Sequence, residues 1–79
     1  MNAERLAEMV NDIANFFAAE PDRNLAIDGV TNHLRKFWEP RMRRQIIAYV
    51  RDTGGKHLSE LGRAGVERLA ASEQAVPSA

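Results

Sequence analysis

The sequence predicts an all-α fold: a small bundle of three to four short amphipathic helices, with a proline corner between the second and third. Apolar residues recur at helical spacing in successive segments, whereas no segment alternates apolar and polar residues as a half-buried strand would. Pro21, Pro40 and the pair Gly54–Gly55 fall between these segments, where helices are expected to end. A chain of 79 residues suffices for one domain, which we place at residues 1–71, with residues 72–79 as a disordered C-terminal tail.

The first predicted helix has the clearest amphipathic pattern. Its apolar stripe recurs at spacings of three and four residues and consists of Leu6, Met9, Val10, Ile13 and Phe17. The opposite face is polar and carries Glu4, Glu8, Asn11, Asp12 and Asn15. The segment EPD at 20–22 ends this helix, and Asp22 is a suitable N-cap for the next one because its carboxylate can accept a backbone N–H.

The second predicted helix ends at the proline corner. Its apolar stripe consists of Ile27, Val30, Leu34, Phe37 and Trp38, and Gly29 lies away from it. Pro40 cannot continue this helix and disfavours helical geometry at Glu39, but it suits the first turn of a new helix. The segment FWEP is therefore predicted to be a sharp corner. For Phe37 and Trp38, packing in the core is favoured over docking to a partner.

Two further helices are predicted after the corner. The third runs from about Pro40 to Asp52, and either glycine of the following pair can form its left-handed C-cap. Its inward stripe consists of Met42, Ile46, Tyr49 and Val50. A weaker fourth helix follows Ser59, a candidate cap, and its apolar face consists of Leu58, Leu61 and Leu69. Gly62 and Gly65 lie on that same face and permit close approach of a neighbour. We expect the first two or three helices to form the core.

The composition excludes several kinds of functional site. The chain has no cysteine, which excludes disulfides, thiolate zinc sites, cysteine-ligated iron–sulfur clusters and cysteine nucleophiles. Neither histidine, His33 or His57, has a carboxylate at the spacing of a metal site. We therefore predict no catalytic, cofactor-binding or metal-binding residue in this chain. With no apolar run near the roughly 20 residues of a membrane span, and acids near the N-terminus, a cytoplasmic location and no membrane contact are expected.

Charge is unevenly distributed along a chain of zero formal net charge. Residues 1–28 contain six acids against two bases, a net charge of −4, whereas residues 29–51 contain six bases against one acid, a net charge of +5. A general nucleic-acid binder usually has a clear basic excess, which this chain lacks. The distribution instead favours contact between the basic segment and an acidic surface, on a partner or on the first helix.

The third predicted helix carries an outward face with an uncommon composition. Arg44, Ile47 and Arg51 fall opposite its inward stripe, and Arg41 and Arg43 flank them. Three interpretations remain open: an ordinary solvated basic face, a nucleic-acid surface and a protein-docking surface. Docking is favoured, because arginine and large apolar groups are enriched in interface cores. The predicted partner-binding residues are Phe37, Trp38, Pro40, Arg41, Arg43, Arg44, Ile47 and Arg51.

Several segments resemble a known family. They are MVNDIANFF at 9–17, EPDRNLAIDGVTNHLRKFWEPRMRRQIIAYV at 20–50, a glycine pair, and LSELGRAGVERL at 58–69. Together they resemble the delta subunit of the soluble NAD-dependent formate dehydrogenases. The resemblance covers about residues 5 to 70, and its most specific part is the block HLRKFWEPRMR at 33–43.

This resemblance implies a role for the chain within a larger enzyme. In that family, the large alpha subunit oxidises formate at a molybdenum bound by pterin guanine dinucleotides. Iron–sulfur clusters then pass electrons to FMN and NAD in the beta and gamma subunits. The delta subunit carries no cofactor, associates with the alpha subunit and supports assembly or stability. We therefore expect a non-catalytic accessory subunit. The alternative is a free-standing helical regulator that binds nucleic acid through its basic third helix.

Overall fold

A computed structural model of the chain describes residues 2–74. Within them it contains four α-helices and no strand: α1 (Ala3–Phe17), α2 (Arg23–Phe37), α3 (Pro40–Thr53) and α4 (Glu60–Gln74). The principal extents of the chain are 37 × 26 × 22 Å. The predicted all-α class, the order of the helices and the start of α3 at Pro40 are confirmed.

Side chains and glycine conformation define the helix ends. The Oδ1 atom of Asp22 accepts a hydrogen bond from Leu25 N at 3.2 Å, and the Oγ atom of Ser59 accepts one from Gly62 N at 3.1 Å. Gly54 ends α3 in the left-handed region, at φ 74°. These caps satisfy backbone groups that have no partner inside the helix. The predicted caps at Asp22, Ser59 and the glycine pair are therefore confirmed.

All four helices contribute to the core. The largest fully buried side chains are Leu6, Val10, Val30, Leu34, Ile46, Val66 and Leu69. The predicted stripes supply most of this core, with Met9, Ile13, Phe17, Met42, Tyr49 and Val50 packed around it. The expectation that the first two or three helices suffice was wrong, since α4 contributes both Val66 and Leu69.

Helices α2 and α4 pack closely because glycine lies between them. A Cβ atom placed on Gly65 would lie 2.4 Å from Val30 Cγ1, so no side chain fits there without displacing the neighbour. At the same point, the buried hydroxyl of Thr31 donates a hydrogen bond to the Gly65 carbonyl at 3.0 Å. The predicted close approach at Gly65 is thus confirmed, and its neighbour is α2.

Exposed ion pairs border the contact between α2 and α4. Arg68 Nη1 lies 2.7 Å from Asp28 Oδ1, and the guanidinium of Arg23 forms a bidentate ion pair with the carboxylate of Glu60. The hydrogen bond from the Arg23 guanidinium holds the pKa of the Glu60 carboxyl below its ordinary value. Because the paired side chains are exposed, each of these ion pairs contributes little to stability.

Two residues assigned to polar or outward positions have structural contacts instead. Asn11 accepts a hydrogen bond from Ser59 N at 2.8 Å and donates one to the His57 carbonyl at 2.7 Å. It therefore holds the loop before α4 against α1. Gly29 lies under the Phe17 ring, whose Cδ1 would be 2.3 Å from a Cβ atom at that position. The sequence pattern predicted neither contact, because amphipathic patterns classify residue types and not their contacts.

The C-terminal helix continues beyond the predicted domain boundary. Helix α4 ends at Gln74, so it includes residues 72–74, which the sequence assigns to a disordered tail. Ser72 and Glu73 both accept hydrogen bonds from arginines of other elements. The rest of that predicted tail, residues 75–79, lies outside the described residues. Among the helices of residues 2–74, none has the length and apolar character required to cross a membrane.

Candidate partner-binding surface

The corner between α2 and α3 is built around a buried tryptophan. Trp38 has extended backbone geometry, at φ −92° and ψ 138°, while its N–H still donates to the Leu34 carbonyl at 3.0 Å. Its side chain is 6% exposed and belongs to the core. The predicted core position is confirmed. Trp38, although included among the predicted partner-binding residues, therefore has little surface to offer a partner.

Phe37, the neighbour of Trp38, lies on the outside of the corner. Its side chain is 71% exposed, and its ring centroid lies 4.8 Å from that of His33, one turn earlier. The predicted burial of Phe37 was wrong. The chain leaves the helix at Trp38, so the turn brings that one aromatic ring inward and leaves Phe37 on the edge of the bundle. Phe37 is one of three large exposed apolar residues within residues 2–74, beside Phe16 and Leu25.

Arg43 stabilises the corner through hydrogen bonds to residues of α4 and of the corner itself. Its Nη1 donates to the Trp38 carbonyl at 2.6 Å, and its Nε donates to Glu73 Oε1 at 2.7 Å. The Arg43 side chain is 19% exposed, so this ion pair is less screened by solvent than the others. One guanidinium therefore joins the end of α2, the first turn of α3 and the last turn of α4. Arg43 was predicted to bind a partner, and its Nε and Nη1 donors are engaged inside the chain.

Replacing Arg43 with lysine should destabilise the chain despite keeping the charge. An ammonium group cannot reproduce the planar fork that reaches both Trp38 and Glu73. We expect the free energy of unfolding to fall by about 1–3 kcal/mol, the scale of hydrogen bonds to charged groups. Urea denaturation followed by circular dichroism measures the change. The matched control is Arg41→Lys at an exposed position, and equal midpoints for the two variants would contradict this role for Arg43.

Two arginines of α3 extend into solvent one and four residues after Pro40. Arg41 and Arg44 are both exposed, and neither forms an ion pair with any residue of 2–74. Arg51, two turns after Arg44, is also exposed and pairs with its neighbour Asp52 at 3.2 Å. Exposed arginines without acidic neighbours leave their donors available to a carboxylate on another molecule.

A groove lies between α3 and α4, with Arg51 at its edge. Its volume is about 320 Å³, and it is lined by Ile47, Val50, Arg51, Val66, Glu67, Ala70 and Ala71. Ile47 was predicted to point outward. It is half-buried, packs against the core and forms part of one groove wall. The direction assigned to Ile47 was therefore partly wrong, because the prediction considered α3 without α4 beside it.

The structure divides the predicted surface residues into three groups. Phe37, Pro40, Arg41 and Arg44 are exposed around the corner; Ile47 and Arg51 lie at the groove; Trp38 and Arg43 support the corner from inside. The α4 residues of the groove were missed by sequence reasoning. Their signal was the small pair Ala70–Ala71, one turn after Val66, which was not recognised as part of a face.

The histidines have ordinary structural surroundings. His57 has a positive φ of 68° in the loop before α4, and its exposed ring lies 3.6 Å from the Glu4 carboxylate. His33 is half-buried against Phe37. Residues 2–74 contain no group of three or more histidine or carboxylate side chains arranged to hold a metal ion. Contact with another macromolecule is the chemistry best supported by an exposed phenylalanine, free arginines and an apolar groove.

Comparison with known proteins identifies the family of the chain. Searches against curated proteins and against solved structures gave no match. The model of one protein family, described as the NADH-dependent formate dehydrogenase delta subunit FdsD, matches residues 5–66. The match covers α1 from its third residue, all of α2 and α3, and about the first half of α4, and thus the corner with its arginines. The chain therefore belongs to the delta-subunit family of NADH-dependent formate dehydrogenases and is part of an oxidoreductase complex.

Proposed function

We propose that this chain is a non-catalytic accessory subunit that binds the large alpha subunit of formate dehydrogenase. In this role it supports assembly or stability of the complex. The molybdenum–pterin guanine dinucleotide cofactor, iron–sulfur clusters, FMN and NAD would belong to the alpha, beta and gamma subunits. The chain contains no cysteine with which to ligate a cluster of its own.

The observation that carries this proposal is the exposed aromatic–arginine corner on a rigid support. Phe37 is largely exposed while the adjacent Trp38 is buried, so the corner presents one ring from a fixed backbone. Arg41 and Arg44 add donors that no acid within residues 2–74 occupies. Aromatic and arginine side chains dominate binding energy at protein interfaces, and a rigid support reduces the entropy lost on binding.

Phe37→Ala should weaken binding to the large subunit by about tenfold or more, the scale of a hot-spot residue. The matched control is Phe16→Ala on α1, because Phe16 is also an exposed phenylalanine, at 77% against 71%. Affinity is measured by interferometry with the purified large subunit immobilised. Equal weakening by both substitutions, or by neither, would contradict the assignment of the corner as the contact surface.

Charge reversal tests the arginines independently of the ring. Arg41→Glu and Arg44→Glu should each weaken binding and reduce its dependence on salt, because each removes an attraction to acidic groups of the partner. Lys56→Glu, in the exposed loop before α4, is the control and should leave the affinity unchanged. A different result would indicate a nucleic-acid-binding regulator: the wild-type chain retains DNA or RNA and does not bind the large subunit. That retention would be lost when Arg41, Arg43 and Arg44 are replaced with glutamate together.

A further inference from the structure

The groove between α3 and α4 has the features of a binding site for a helix. Its lining is mainly apolar: Ile47, Val50 and Ala70 are half-buried, and Val66 is fully buried. Its α4 wall ends in Ala70 and Ala71, whose small side chains allow the backbone of a second helix to come close. Half-buried apolar residues in a groove between two helices match the helix-in-groove mode of recognition.

The two rims of the groove carry different charges. On the α3 side, Arg51 lies on the groove rim; Arg44, two turns earlier on α3, is exposed and free of ion pairs within residues 2–74. On the α4 side, Glu67 is exposed at the edge of the groove. Residues seven apart on a helix share a face, so the two arginines form a row along α3. An occupant of the groove therefore meets positive charge along one edge and a carboxylate along the other.

We propose that this groove binds an amphipathic α-helix of the large subunit, with its apolar stripe on Ile47, Val50 and Ala70. That helix carries aspartate or glutamate along the edge that faces Arg44 and Arg51. This inference rests on the proposed function, since it names the part of the large subunit that the chain recognises. The proposed contact extends from the corner along the length of α3. The row formed by Arg44 and Arg51 then sets the orientation of the bound helix.

Site-specific cross-linking in the assembled enzyme tests the proposal directly. A photoreactive phenylalanine derivative is incorporated at position 71, which is exposed at the groove, and at position 16 on α1 as the control. Cross-linked peptides are identified by mass spectrometry. We expect position 71 to mark one segment of the large subunit with apolar residues at spacings of three and four and with flanking acids. Position 16 should not mark that segment.

Charge reversal provides the second arm of the test. The double change Arg44→Glu and Arg51→Glu should weaken binding of the large subunit by about 10- to 100-fold, the range of close charge pairs across interfaces. Reversing the acids of the cross-linked segment should restore it. The matched control is Arg5→Glu with Lys56→Glu, because Arg5, like Arg51, pairs with a nearby acid and Lys56 is exposed. This control should bind as the wild type does.

Three results would overturn the groove assignment while leaving the proposed function standing. The first is a cross-link from position 71 to a second copy of this chain, and the second is a cross-link to a non-helical segment. The third is an unchanged affinity of the double variant at Arg44 and Arg51. In all three cases the wild-type chain is still found in the purified complex. Absence of the wild-type chain from the purified enzyme would overturn both proposals. The two failures are therefore distinguishable in the same experiment.

Discussion

Replacing Trp38 with alanine is expected to lower the free energy of unfolding by about 3–5 kcal/mol, the usual cost of removing a large buried aromatic side chain. Trp38 is buried at the corner between α2 and α3, where its side chain belongs to the hydrophobic core. Small helical domains have total stabilities of about 5–15 kcal/mol, so this single change removes a large part of the total. Urea denaturation of the full chain, followed by circular dichroism, measures the loss.

The adjacent phenylalanine provides the control for the Trp38 experiment. Phe37→Ala removes an aromatic ring at the same corner but from an exposed position, and we expect a change within about 0.5 kcal/mol. Trp38→Phe keeps most of the buried volume and should fall between the two, which covers the case in which Trp38→Ala does not fold. A Trp38→Ala chain as stable as Phe37→Ala would contradict the core position of Trp38.

Gly65→Val is expected to have the second-largest effect, because it separates α2 from α4. A Cβ atom at Gly65 would lie 2.4 Å from Cγ1 and 2.8 Å from Cβ of Val30, and the Gly65 carbonyl also accepts the Thr31 hydroxyl. Overpacking of this kind costs about 1–3 kcal/mol, and the loss of the buried hydrogen bond adds about 1 kcal/mol. Thermal and urea denaturation should both show the lower stability.

The control for Gly65→Val lies on the same helix. Ala71→Val introduces the same β-branched side chain at an exposed position of α4, so it measures the small loss of helix propensity without the clash. We expect that loss to stay within about 0.7 kcal/mol. Equal stability of the two valine variants would show that α2 and α4 can separate slightly at no cost, and would contradict the close packing at Gly65.

Local signals in the sequence predicted the elements of this fold well. Helix caps act within four residues, so Asp22, Ser59, Pro40 and Gly54 could be assigned without knowing the tertiary structure. The apolar stripe of α1 was clear enough to predict its buried face from spacing alone. The pattern of α4 was weaker because its glycines have little hydrophobicity, yet Gly65 sets how closely α4 approaches α2, as its position on the apolar face predicted.

Contacts between distant segments could not be predicted in the same way. Asn11 bonds to residues 57 and 59, a choice of partner that depends on where the loop before α4 lies. Phe37 matched the spacing of the apolar stripe, but it is the last residue of α2. At that position, the path of the chain after the helix decides whether the side chain is covered. Arg43 was identified as a surface arginine because its partner Glu73 is thirty positions away.

The sequence predicted which segment carries the candidate surface, but not which of its residues are exposed. The segment from Phe37 to Arg51 contains the exposed corner, the free arginines and one wall of the groove. Sequence reasoning could not separate the supporting residues, Trp38 and Arg43, from those that face solvent. It also missed the second wall of the groove, because that wall belongs to a helix whose packing depends on α2. Binding by this surface remains a prediction.

The most direct test of the central claim is purification of the tagged full-length chain from its native cells. The co-purifying polypeptides are identified, their stoichiometry is determined, and formate-dependent reduction of NAD is assayed. We predict recovery of a large molybdenum-containing subunit with this activity and with the chain present in equal amount. A stoichiometric chain in the active enzyme marks a permanent subunit, whereas recovery with inactive precursors marks an assembly factor. Recovery of nucleic acid, or of no formate dehydrogenase subunit, would contradict the account.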